Sequence, residues 1–292
     1  MQKIHSTLPH RLGAWLFLLL LACQTPPPPL QKGFVWEAKR GDQVVTLIGT
    51  MHLGVRKDEI PPIVWQRLQA SDRVLIETDA DAATPLLLQR YLLLPAGESL
   101  KQKLGERDWQ RLVALLKKSF PTMTSDQIDR MSPAAAASQL MTADALHADD
   151  QGPSMDQTIC ETAKARGKAC LIFETIEEQL SYLKDVFTIA ALRDMLDHPE
   201  GDDFQALQKA YLAGDQARLE EMITEMPSEM RTILLDRRNE KWISRLDSLL
   251  GPKQTLIAVG AAHFGGQKSL LRLMTARGFT IRPLSWQASS SP

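Results

Sequence analysis

The chain has 292 residues, with 34 Lys and Arg against 35 Asp and Glu and a formal net charge of -1 at pH 7. That balance leaves no basic stripe for a phosphate backbone, so no nucleic-acid partner is expected. The length is enough to bury a substantial core.

The first 22 residues, MQKIHSTLPHRLGAWLFLLLLA, have the layout of an export signal, with Lys3 and Arg11 ahead of an uncharged run. That run is short for a membrane span. It ends in Leu20-Leu21-Ala22-Cys23, the form of a bacterial lipobox. Cys23 is therefore expected to carry a diacylglycerol, and a further acyl chain on its amine would make the anchor stable. Pro26 to Pro29 follow and favour a stiff, extended tether. Gln24 provides no aspartate retention signal, so the expected location is the outer membrane, facing the periplasm. Removing 22 of the 292 residues leaves 270 with no second long apolar run. One domain is expected over 34–286, then a disordered tail over 287–292.

Phe34 to Ala38, the Gly41-Asp42 turn signal and the β-branched run Val44 to Ile48 read as a hairpin. An amphipathic helix follows from Pro61 to Ser71, and Arg73 to Thr78 is a short buried strand. From Thr84 to about Ala148 the apolar spacing is helical, broken at Pro95 to Ser99; the alanine run after Pro133 suits close helix packing. A polar loop leads into a helix around Cys160, a glycine turn at Gly167 and a strand over Ala169 to Thr175. Residues 177–249 are helical with a break at Gly214-Asp215, and Arg237, Arg238 and Asn239 fall near the middle of the last helix. TLIAVGAAHFGG is a strand entering a glycine-rich turn, SLLRLMTARGF a helix and TIRPLSW an edge strand. The fold class is α/β (mixed α+β): a central mixed sheet flanked by helices, with a largely helical insertion between the sheet-forming segments.

Two segments share one grammar. TLIGTMH and TLIAVGAAH are each a strand ending in Gly-x-x-His, at His52 and His263. A glycine there lets the chain turn sharply. Two other strands end in carboxylates, at Glu77 and Glu174. If the four strands are parallel neighbours, these side chains meet beyond their carboxyl ends, where α/β sheets bind ligands. Two histidines with Glu174 or Glu77 make a set suited to manganese, cobalt or zinc. The remaining carboxylate would then act as a general base. Arg238 could bind a substrate carboxylate, pair with a buried glutamate or cover a helix surface, and Asn239 could donate into the cleft. Asp156 precedes a helical pattern and reads as its cap. Cys160 and Cys170 lie in an oxidising compartment if the chain is exported. A helix laid back on its following strand would bring them into a disulfide; two buried thiols are the alternative.

LIGTMH, VLIETD, DQTICETAKARGKACLIFETIEEQ, YLAGD, RRNEKW and VGAAHFGG with its GFTIRPL ending occur in this order from about Phe34 to Leu284. In these motifs the chain resembles the TraB/GumN family, related to the Tiki metalloproteases. The resemblance implies a mixed-sheet core with a helical insertion and a divalent-metal peptidase site. It places His52 and His263 on the family histidines, Glu77 and Glu174 on its acidic positions, and Arg238 and Asn239 on its Arg-Asn pair. Ala262-His263-Phe264 stands where many relatives read glycine, histidine and leucine.

The leading expectation is thus a metal-dependent envelope hydrolase acting on peptide or amide bonds, with a peptide or protein substrate. The alternatives are a non-catalytic envelope lipoprotein that binds a peptide, polymer or partner protein through the same cleft, and a small-molecule hydrolase on the same centre. No His-Glu-x-x-His helix and no G-x-S-x-G elbow is present. No sustained heptad sets an oligomeric state.

Overall fold

Six strands form one sheet. They are β1 (Val35–Arg40), β2 (Gln43–Thr50), β3 (Arg73–Ile76), β4 (Ala169–Ile172), β5 (Gln254–Gly260) and β6 (Thr280–Pro283). The computed structural model describes residues 33–52, 54–79, 82–145, 154–198, 203–251 and 253–285. The expected leader, the Cys23 anchor, the proline tether and the tail over 287–292 lie outside the described residues.

The strand order is β4-β3-β5-β2-β1-β6. The four strands β4, β3, β5 and β2 are parallel neighbours. β1 closes the hairpin on β2 and pairs β6 antiparallel, so the sheet is mixed. The chain runs outward from β2 to β3 and β4, and β5 then returns between β2 and β3. β5 sits at the centre and is buried on both faces from Thr255 to Gly260. Its unbroken apolar run is the composition that such a position selects.

The strands at Glu77 and Glu174 are shorter than their apolar runs suggest. β3 and β4 end at Ile76 and Ile172, but the pairing continues irregularly. Phe173 N–H donates to Ile76 O and Glu174 N–H to Glu77 O, both at 3.0 Å. The two glutamates therefore leave the sheet side by side.

Two apolar clusters hold the fold. One encloses the sheet and includes Leu47, Leu68, Leu75, Ile159, Trp242 and Ile257. The other is built from helices and the segments joining them and includes Leu100, Leu112, Leu116, Ile128, Leu192 and Leu196. This second cluster is the helical insertion. In the helix Glu106–Ser119 the buried residues are Trp109, Leu112 and Leu116, one stripe at helical spacing. Ala134, Ala136 and Ala137 of the helix Pro133–Ala145 pack into the same cluster. The Gly214-Asp215 break is real: Asp215 caps the helix Gln216–Glu225 by accepting from Arg218 N–H.

The Sγ atoms of Cys160 and Cys170 are bonded, with the Cα atoms 5.7 Å apart. The bond ties the helix Met155–Ala165 to β4.

Candidate functional site

The carboxyl ends of the four parallel strands bring His52, Glu77, Glu174 and His263 to one place. His52 follows β2, Glu77 follows β3, Glu174 follows β4, and His263 lies in a 3-10 turn, Ala261–Phe264, after β5. Glu77 is the centre of the group. Its Oε1 lies 3.7 Å from His52 Nε2 and 3.5 Å from His263 Nε2, and it accepts from Gly260 N–H at 2.7 Å.

Both imidazoles are oriented from behind. Asn239 Nδ2 donates to the carbonyls of His263 and Lys268, at 3.1 and 2.9 Å. That fixes the amide, so its Oδ1 faces the ring and accepts from His263 Nδ1 at 2.7 Å. A carbonyl oxygen can only accept, so Nδ1 carries the proton and Nε2 presents a lone pair. Asn239 thus acts on His263 and on two backbone carbonyls, and its donors do not reach open cleft. His52 Nδ1 stands 3.2 Å from Asp156 Oδ1, again a carboxylate that can only accept. Metal-ligating histidines characteristically have this kind of outer partner.

From the sequence, Asp156 is expected to cap a helix. The cap of Met155–Ala165 is Ser154, which accepts from Gln157 N–H, and Asp156 sits buried in the first turn beside His52. A carboxylate in a first turn reads as dipole compensation, so nothing local marked its second role.

Arg238 joins the two glutamates. Its Nη2 donates to Glu77 Oε2 and Glu174 Oε1, both at 2.6 Å, and its Nε to Glu174 at 3.1 Å. Of the three sequence options for Arg238, the structure shows the buried pair. Glu174 also accepts from Trp242 Nε1 at 3.0 Å, so both its oxygens are engaged and it is buried. Trp242 lies under the site, 4.3 Å from the His263 ring and 4.8 Å from the Arg238 guanidinium. Arg238, Asn239 and Trp242 share one face of the helix Arg237–Leu249, at helical spacing. A π-helical turn, Thr232–Asp236, precedes them; such turns often mark functional positions.

Both motif glycines have a reason other than the turn expected from sequence. Neither has positive φ. A Cβ on Gly260 would meet Glu77 Oε1 at 3.0 Å and His52 Nε2 at 3.4 Å, and one on Gly49 would meet the Ala261 Cα at 3.0 Å. Close approach, not a left-handed backbone, requires glycine at each.

Burial opposes the charge of Glu77, but His263, His52, Arg238 and the Gly260 N–H overcome it and hold its carboxyl well below the usual range. Desolvation, with the Arg238 and His52 charges, pushes His263 down to about 3 against the pull of Glu77, so its ring is neutral. Desolvation also opposes charge on His52, yet Asp156 and Glu77 prevail and raise it to about 9. The His52 side chain keeps 53% of its surface open, so it forms the solvent side of the group. Burial pushes Glu174 up in spite of Arg238 and Trp242.

The donor types, imidazole nitrogen and carboxylate oxygen, are those that a divalent cation takes. With His52 deprotonated as well, the form in which a metal takes a histidine, the two Nε2 lone pairs and Glu77 Oε1 are three acceptors facing one another. Three carboxylates, Glu77, Glu174 and Asp156, stand against one guanidinium, which leaves two negative charges when both histidines are neutral. Two buried hydroxyls, on Thr50 and Thr78, have no protein partner; they flank His52 and Glu77 in the chain. Among the described residues no three His, Cys, Asp or Glu side chains are drawn tightly enough to enclose an ion as they stand.

The model of the TraB/PrgY/gumN family matches residues 34–283. The chain belongs to that family. This TraB/PrgY/gumN member is also similar to a protein described as a metalloprotease TIKI homolog from Amphimedon queenslandica, with 22% identity over 319 aligned residues. The alignment covers 87% of this chain and 62% of that protein, so the chain spans less than two thirds of its relative's length. No solved structure matches it.

Proposed function

We propose that this member of the TraB/PrgY/gumN family is a divalent-metal-dependent hydrolase of peptide or amide bonds, anchored through Cys23 at the outer membrane and facing the periplasm. One observation carries the reading: two imidazole Nε2 atoms lie within 3.7 Å of the same carboxylate oxygen. The likeness to a protein described as a metalloprotease homolog supports it. His52, His263 and Glu77 would hold the ion, with manganese, cobalt and zinc the candidates. When bound, the ion would polarise a carbonyl and supply a water ionised near neutral pH.

The chain's own residues divide the remaining work. Asn239 keeps His263 in the tautomer that exposes Nε2. Asp156 does the same for His52 and holds the Nδ1 proton. Arg238 fixes Glu77 through Oε2 and leaves Oε1 toward the histidines. Glu174 and Trp242 clamp Arg238 from the far side. Glu174 is therefore a positioning residue in this reading, not the general base or metal ligand suggested by its place after a strand. The open side of His52 is where substrate would approach.

A peptide library incubated with the purified chain tests the activity. Cleavage that requires added divalent ion and disappears in His263→Ala supports it. Cleavage that persists in His263→Ala, or none with any of the three ions, contradicts it.

A further inference from the structure

One sequence motif, YLAGD over 211–215, has no part in the chemistry above. Its tyrosine is buried in the last turn of the helix Asp203–Leu212. The Tyr211 hydroxyl donates to Gly49 O at 2.6 Å and lies 3.1 Å from Met155 Sδ. A hydroxyl has one hydrogen to give and a carbonyl is the stronger acceptor, so the thioether packs against the phenol oxygen. Burial and the Asp156 charge push the phenol well above its ordinary 10, which keeps that hydrogen in place.

The two groups that this hydroxyl touches belong to the two segments that meet at His52. Gly49 opens the Gly-x-x-His segment at the end of β2. Met155 immediately precedes Asp156, the carboxylate that His52 Nδ1 faces at 3.2 Å. The rest of Gly49 is held as well. Its N–H donates to Phe34 O at 2.8 Å, and the Tyr211 ring stacks on Phe34 with centroids 4.9 Å apart and planes 9° apart. The same helix grips the chain on the other side of His52, where Gln208 Nε2 donates to Gly54 O. Past the tyrosine, Gly214 O accepts from Gly33 N–H at 2.8 Å, which keeps the helix end beside Phe34. His263 takes its support elsewhere, from Asn239 on the helix Arg237–Leu249.

We propose that Tyr211 is a positioning residue for His52: its hydroxyl pins the strand end that leads to the imidazole against the helix turn that carries Asp156. A buried carbonyl needs a donor. Without the hydroxyl, Gly49 O must turn to find another, and the segment to His52 turns with it. The ring then loses its fixed place against Asp156 while His263 keeps its own. Loss of an outer partner lowers metal affinity about 10- to 100-fold. Tyr211 acts one step farther out, through the Gly49 backbone, so the lower end of that range is expected. The effect on metal rests on the proposed hydrolase site; the placement of His52 does not.

Tyr211→Phe removes the hydroxyl and keeps the stacked ring. NMR order parameters of the imidazole rings, measured without metal on the full chain carrying isotopically labelled histidine, read the placement directly. The expected result is a lower order parameter at His52 and no change at His263. Cobalt titration of the same variant should give affinity about tenfold below the wild type. An unchanged His52 ring overturns the proposal, because the hydroxyl then serves stability alone. An equal fall at both histidines overturns it too, since the whole domain has then loosened. Gln208→Ala, which removes the second bond from the same helix, should also lower order at His52 alone, and it decides the matter if Tyr211→Phe does not fold. A wild type that binds no cobalt removes the metal reading, and the ring measurement still decides whether Tyr211 places His52.

Discussion

Oδ1 of Asn239 accepts from Nδ1 of His263 at 2.7 Å while the amide nitrogen of Asn239 is held by two backbone carbonyls. The side chain thus reads out as a tautomer lock, and its removal should act through the histidine. Asn239→Ala is expected to lower metal affinity by about 10- to 100-fold, the usual effect of losing an outer partner. Asn239→Asp keeps the acceptor and should retain more affinity than Asn239→Ala. Titration of both variants with cobalt checks this; equal affinities for the two would contradict the lock.

Gly260 is expected to be intolerant of a single methyl group. Its new Cβ would press on Glu77 Oε1 and His52 Nε2 together. Gly260→Ala should lose metal binding while costing about 1–3 kcal/mol of stability, the usual range for overpacking. Metal stoichiometry and urea unfolding on the same sample separate the two effects. Full metal occupancy in Gly260→Ala would rule out the crowding argument.

Glu174 is buried and bonded to both Arg238 and Trp242. Glu174→Gln leaves the guanidinium with one carboxylate in a dry site, and breaking a buried ion pair costs about 3–5 kcal/mol. The expected outcome is a large fall in the urea midpoint, with Glu174→Asp falling less. A loss of stability under about 1 kcal/mol would mean that Arg238 finds another partner.

A pH dependence arises away from the site. Glu37 on β1 is buried and accepts from Arg67 Nη1 at 3.0 Å and Arg282 Nε at 2.8 Å. Burial opposes its charge, but Arg282 and Lys39 outweigh it and hold the carboxyl below the ordinary 4.5. The unfolded state then binds the proton more readily, so this stabilisation is complete above the ordinary value and is lost as pH falls through the folded one. Urea midpoints taken from neutral pH to about pH 3 should fall more steeply for the wild type than for Glu37→Gln. Parallel curves would remove Glu37 as the cause.

Much of the site could be read from the sequence because its members are written at strand ends. Apolar runs such as TLIAVG and RVLI mark buried parallel strands locally, and His52, Glu77, Glu174 and His263 each stand just past one. What joins them is not local. Asp156 differs from any first-turn carboxylate only by what packs against it. The choice of Glu77 over Glu174 for the histidines depends on which oxygens Arg238 and Trp242 occupy. The glycines matter for atoms that arrive from other strands. Trp242 is legible by the same spacing: it follows Arg238 by four residues and Asn239 by three, so the helix puts it on their face. The π-helical turn before Arg237 has no sequence signature that periodicity would catch.

The Cys160–Cys170 bond ties the Asp156 helix to the strand that ends beside Glu174. Closing so short a loop is worth about 2–3 kcal/mol. Cys160→Ser with Cys170→Ser should lower stability by that amount, and reduction of the wild type should do the same. Denaturant unfolding with and without reductant measures it, and coincident curves would contradict it.

In the proposed function His52, His263 and Glu77 hold one divalent ion. Elemental analysis of chain purified without affinity-tag histidines, after reconstitution with manganese, cobalt or zinc, tests it most directly. About one ion per chain is expected in the wild type and none in the His52→Ala, His263→Ala double variant. No bound ion in the wild type, or the same content in both proteins, would contradict it.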